Sequence, residues 1–334
     1  MPVSFISDQA QQFATLRATG AIKSDLGRLA ASLSSGRVAD ITKHLGGNTA
    51  QLSGIQHRLT QLEGYQQIGR ETAQTLDTIQ QVLLRIDTAR AQLSEQLLTI
   101  NDSSVDAQVD TAARTARGTL DTLVSALNTR LADRALLGGR VVDTPPVITA
   151  EEIMTQVRDT IGPDRTAAGI TAAVAAWFDD PTIGFLAVGY RGDADGFMQR
   201  QISDDRQIDI TLRADDPAFR ETLKSTVLAA IAADLPNLSG KVKSDLVQSA
   251  GAKLFGAGSG LIDAQARVGT AQATLTTSQT EFSGQETGLK LALNGMTMAD
   301  PFETATRLQN VQLQLETHYA VVGRLSQLSL LRFI

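Results

Sequence analysis

Proline is absent between residues 3 and 144 of this 334-residue chain, and six of its eight prolines (Pro145, Pro146, Pro163, Pro181, Pro217, Pro236) fall between 145 and 236. A proline in a helix interior removes one backbone hydrogen bond and clashes with the preceding turn, so long helices are permitted in the arms and interrupted in the middle. Charge divides the chain in the same way. Residues 151–245 hold 16 acidic and 10 basic side chains, and the flanks hold 20 of each. A proline-bearing, acidic middle between two neutral arms reads as a domain inserted into a helical scaffold. The expected organisation is a terminal helical domain (1–45 and 297–334), a helical-bundle domain (46–145 and 246–296) and an inserted α+β domain (146–245). The fold class is therefore mainly α with an α+β insert: a long antiparallel bundle of N- and C-terminal arms carrying a small middle domain.

Hydrophobic spacing supports helices in both arms. Leu52, Ile55, Leu59 and Leu62 step by three and four; Ile79, Leu83, Ile86, Leu93, Leu97 and Ile100 resume the stripe, with Arg90 in the missing step. Val105, Val109, Ala112, Ala116, Leu120, Leu123, Leu127 and Leu131 form a second stripe. Asn101–Ser104 between them offers turn and N-cap residues, which predicts two antiparallel helices. In the C-terminal arm Leu261, Val268, Leu275, Phe282, Leu289 and Met296 recur every seven residues, and Ala264, Ala271, Ser278, Gln285 and Ala292 sit three positions after the first five. Small and polar d positions make a poor dimeric zipper and fit a seam inside a bundle. Leu261, Val268, Leu275, Phe282 and Leu289 are the expected bundle core. Gly256–Gly260 reads as a flexible helix–helix joint, and Gly295–Pro301 as a helix break.

The ends are apolar. Phe5, Phe13, Leu16, Ile22, Leu26, Leu29 and Leu33 mark the first helix, and Leu308, Val311, Leu315, Val322, Leu325, Leu328 and Leu331 the last. Terminal residues ordinarily fray, because they have few contacts to offset their ordering entropy. Such ends call for a partner surface, each other and neighbouring copies, so these fourteen residues are the expected assembly interface of a homo-oligomer. In the middle, Thr149 and Glu152 fit a capping box for a helix to Ile161. Thr166–Phe178 is a second helix, and residues 184–190, 197–203 and 206–213 read as short strands. Asp215 or Asp216 caps a helix to Ala233, and Ser239 another to Phe255.

Composition narrows the function. There is no cysteine, so thiolate metal sites and cysteine catalysis are excluded. His44, in a loop, and His57 and His318, within helical stripes, lie at no metal-ligand spacing. A net charge of −6 argues against a nucleic-acid surface. No run of about 18 apolar residues is present to span a membrane, and the start lacks a cleavable signal's basic and apolar regions. Gly256–Gly260 lacks the third-glycine spacing of a dinucleotide loop and the Lys-Ser/Thr of a P-loop. Asp193–Gly196 is an acidic turn without the downstream glutamate of a calcium loop. The pairs Asp179-Asp180, Asp204-Asp205 and Asp215-Asp216 read as solvated turns or caps. The expectation is no enzyme, no cofactor and no metal; a signalling coiled coil is disfavoured by the apolar ends.

Three segments resemble bacterial flagellins. Leu33-Ser34-Ser35-Gly36-Arg37-Val38 is similar to the motif that ends their first helix. Arg267–Leu275 is similar to the entry of their C-terminal arm, and Met298–Leu331 to their last helix. Asp133–Arg140 followed by Pro145-Pro146, and Val188–Asp193 through Phe219, resemble the hook–filament junction branch of hook-associated proteins. Asp40–Asn48 replaces the usual Asp-Asp-Pro-Ala-Gly stretch. The resemblance implies a structural axial protein of the extracellular flagellum, exported without a cleaved signal by the flagellar type III apparatus. It also implies terminal helices that fold on assembly. The implied partners are the adjacent hook-associated protein, flagellin and an export chaperone; the alternative within the family is a filament-forming flagellin.

Overall fold

A computed structural model of the protein describes residues 3–330, with side chains from residue 9 to residue 325 except Gln11. Helix α1 (Val3–Ser35) stops at Gly36, whose φ of 67° suits a residue without Cβ. One turn, α2 (Ile41–His44), is capped by the Asp40 carboxylate, which accepts from Lys43 N at 3.1 Å. His44, expected in a loop, closes that turn. Helix α3 (Ala50–Leu98) is continuous. The Asn101 side chain then accepts from Ser103 N at 2.9 Å, and α4 (Asp106–Leu127) begins after Val105 with no side-chain cap. Asn101–Ser104 thus makes the expected turn but not the expected cap. Strands β1 (Arg130–Leu131) and β2 (Arg134–Ala135) form a hairpin whose turn residues, Ala132 and Asp133, both have positive φ.

Helix α5 (Ala150–Ile161) carries the expected capping box: Glu152 N donates to Thr149 Oγ1 at 3.2 Å and Thr149 N to Glu152 Oε2 at 2.8 Å. These hydrogen bonds hold the Glu152 carboxyl below its ordinary value, Thr149 N–H first among the causes. A depressed folded-state value stabilises above the unfolded value, and the stabilisation is lost as pH falls through the folded one. The urea midpoint of the wild type is therefore expected to exceed that of Glu152→Gln near neutral pH, with the gap closing on acidification. A constant gap between pH 7 and pH 3 would refute this.

Thr166 caps α6 (Ala167–Asp179) through Gly169 N at 3.1 Å. Residues 184–190, expected as a strand, instead contain a π-helical turn (Phe185–Gly189). Gly184 enters it at φ 71°, and Phe185 is drawn against Trp177 and Phe178, with ring centroids 6.1 and 5.4 Å away. Tertiary burial of that ring overrides the strand propensity of Phe, Leu and Val. Strands β3 (Met198–Gln201) and β4 (Gln207–Ile210) pair antiparallel, Gln201 opposite Gln207. Asp216 caps α7 (Pro217–Asp234), accepting from Ala218 N at 3.1 Å. Helix α8 (Gly240–Thr297) begins after Ser239, whose Oγ accepts from Val242 N, and α9 (Pro301–Leu330) follows the break at residues 298–300.

The helix–helix joint expected at Gly256–Gly260 is absent: these residues lie inside α8. Gly258 and Gly260 permit close packing instead, while Gly256 faces open space. A Cβ on Gly258 would meet the Arg90 guanidinium at 3.1 Å, and one on Gly260 would meet Ala218 Cβ at 3.2 Å. The helical cost of glycine, about 1 kcal/mol each, is offset by that approach.

The chain divides into two compact units, residues 1–63 with 282–334, and residues 64–281. In the second unit α3 and α8 are joined by Ser94 Oγ donating to Gly251 O at 3.0 Å and Arg90 Nη1 to Leu254 O at 2.9 Å. Helix α4 packs on α7, and α5, α6 and α7 pack together. Residues 146–245, expected as an inserted domain, share one continuous apolar core with this bundle, from Leu83 and Leu120 through Phe178 to Leu246 and Leu261. Of the expected core residues, Leu261, Val268 and Leu275 are buried here; Phe282 is buried and Leu289 half-buried in the first unit.

Candidate assembly surface

The first unit is built on a pair of helices tied at one end. Gly36 and Arg37 turn the chain out of α1 so that Arg37 bridges Met298; Val38 N donates to Thr297 O at 2.9 Å and Ala299 N to Gly36 O at 3.0 Å. Ser32 Oγ, in a buried residue, accepts from Ala39 N at 2.9 Å. Asp300 starts α9, its carboxylate accepting from Phe302 N and Glu303 N at 2.8 and 3.0 Å. From this anchor α1 and α9 run antiparallel, and Thr19 Oγ1 lies 3.0 Å from His318 Nε2. The Thr19 hydroxyl also donates to Thr15 O at 2.9 Å. Lys23 Nζ stands 5.8 Å from the centroid of the Tyr319 ring, within range of a cation–π attraction.

This pairing divides the residues expected at the assembly interface. Ile22, Leu26 and Leu29 on α1, and Leu308, Val311, Leu315 and Val322 on α9, are half-buried on stripes of three- and four-residue spacing. Phe13 (70% exposed), Leu16 (62%), Leu33 (39%) and Leu325 (47%) face outward. Phe5 and Leu328 lie in helical backbone but outside the described side chains, and Leu331 lies outside the described residues. Phe302, Leu313 and Tyr319 are also exposed and were missed from the sequence because they fall off the heptad stripe. Leu313, His318 and Val321 line one side of a shallow groove of about 460 Å³ that Ile22 borders from α1. Large apolar residues on the outer faces of two half-covered helices are the kind of surface that marks an interaction site.

The remaining candidate sites are engaged structurally. Asp179 Oδ2 accepts from Lys224 Nζ at 2.9 Å, and Asp180 from the Thr182 hydroxyl and backbone N–H, which in that order hold its carboxyl below the ordinary value. Asp205 accepts from Ser203 Oγ, Asp215 pairs with Arg213, and Asp216 both caps α7 and accepts from Arg267 at 2.6 Å. Asp193 closes its turn by accepting from Asp195 N and Gly196 N at 3.0 Å and pairs with Arg140 at 2.8 Å. Among the described residues no group of His, Asp and Glu side chains could hold a metal, and no helix is long and apolar enough to cross a membrane.

Comparison with known proteins agrees with the helical arms. Residues 256–334 match the family model of the bacterial flagellin C-terminal helical region. No curated protein sequence matches the chain. Among solved structures, that of a flagellar hook-associated protein from Vibrio parahaemolyticus superposes with a TM-score of 0.52 at 11% identity, covering 73% of this chain and 95% of that one. The crystal structure of Bacillus cereus FlgL gives 0.51 at 15% identity, covering 72% and 99%. Residues 256–334 are therefore similar to the C-terminal helical region of bacterial flagellins, and the chain shares its fold with these two solved structures.

Proposed function

We propose that this chain is a structural axial protein of the bacterial flagellum, placed where hook meets filament, and that it assembles by burying the outer faces of α1 and α9 against neighbouring copies. The observation that carries this is the outward exposure of Phe13, Leu16 and Leu325 on helices whose C-terminal member matches the flagellin model. Burying apolar surface at about 25 cal/mol per Å² supplies the driving force only when neighbours are present, which keeps the free chain soluble. The similar fold of hook-associated proteins favours the junction over bulk filament. The role is structural, without a catalytic step. On this reading the protein is exported by the flagellar type III route, contacts the adjacent hook-associated protein and flagellin, and is met by an export chaperone beforehand.

Immunogold labelling of intact flagella with an antibody to residues 150–245 tests it. A single band between hook and filament is the expected result. Label along the entire filament would make the protein a flagellin, and unlabelled flagella would remove the axial role.

A further inference from the structure

The loop between β3 and β4 touches both long helices of the second unit. It is braced from within: Ile202 N and Ser203 N donate to Arg206 O at 3.0 and 3.1 Å, and Gln201 Nε2 donates to Ser203 O at 2.6 Å. Two side chains reach outward from this rigid turn. Asp204 Oδ1 accepts from the Tyr65 hydroxyl on α3 at 2.5 Å. Arg206 Nη1 donates to Ser278 Oγ at 2.7 Å and to Glu281 Oε2 at 3.1 Å, both on α8.

Ser278 explains why those contacts matter. It occupies a d position of the α8 seam and is fully buried, where its hydroxyl donates to Thr274 O at 3.0 Å. Its acceptor capacity is met by Arg206. Upstream, Leu261, Ala264, Val268 and Leu275 carry the seam by apolar burial; downstream, the d positions Gln285 and Ala292 are exposed. The loop therefore engages α8 at the last buried position of its d row, with Phe282 of the a row still buried beyond it, and Tyr65 and Glu281 stand at the sequence ends of the second unit. We propose that the β3–β4 loop is a clasp: it holds α3 and α8 together at this polar step, so that the two helices open there as one event set by the loop.

Hydrogen exchange of the full-length monomer, read by mass spectrometry, tests the clasp without reference to any flagellar role. Tyr65→Phe removes one hydroxyl from α3, and Arg206→Ala removes the link to α8. Each variant is expected to speed exchange about tenfold in both 64–72 and 274–281, the scale for loss of a charge-assisted hydrogen bond. Arg200→Ala, on the same hairpin outside the loop, is expected to leave both segments unchanged. Should Tyr65→Phe speed only 64–72 and Arg206→Ala only 274–281, the contacts are independent attachments and the clasp is overturned. Unchanged exchange in Tyr65→Phe overturns it as well, even if Arg206→Ala disturbs the hairpin.

Discussion

Deletion of residues 325–334 is expected to leave a folded, soluble chain that fails to enter flagella. The segment holds Leu325, Leu328, Leu330, Leu331, Phe333 and Ile334. Full burial of such side chains is worth about 1.5–3 kcal/mol each, so the lost assembly energy exceeds what most single contacts could replace. The core of the second unit is built from residues between Leu76 and Leu275, none of which the deletion removes. Incorporation, scored by immunogold, should fall to background while the thermal melting of the truncated chain stays that of the full chain. Normal incorporation would sink the assembly role of the terminal helices. A milder probe is Phe13→Ser. With that ring 70% exposed, its removal should move stability by no more than about 0.5 kcal/mol and still weaken incorporation.

Phe178→Ala should produce the largest loss of stability. Phe178 is fully buried, edge-on to Trp177 at 4.7 Å and stacked on Phe185 at 5.4 Å between centroids. Truncating such a ring costs about 3–5 kcal/mol, from lost transfer energy and the cavity left behind. Total stabilities of about 5–15 kcal/mol make that a large fraction. The π-helical turn at Phe185–Gly189 sets its one aromatic ring in this cluster, so the near-ultraviolet aromatic signal should weaken before the helices unfold. A urea midpoint within experimental error of the wild type would show that the aromatic cluster is not the keystone of the middle region.

Local chemistry determined much of this protein. Spacing alone located the helical arms and the break before Pro301. Thr149 and Glu152 announced their helix, and Asp216, one of two candidate caps, its own, because capping depends on residues within one turn of one another. The α8 seam was legible from its heptads for the same reason. Tertiary structure decided the rest, wherever a residue's partner lies far along the chain. Gly258 and Gly260 lie inside a helix where Arg90 and Ala218 press close, and Phe185 turns inward because Trp177 and Phe178 await it. Ser278 is tolerated in a buried seam because Arg206 arrives from 72 residues away. The terminal apolar residues divide into half-buried and exposed sets only once α1 meets α9. Periodicity shows that a face is apolar; which of its residues stay open to another chain depends on how two helices are rotated against each other, and no spacing rule within one helix contains that angle.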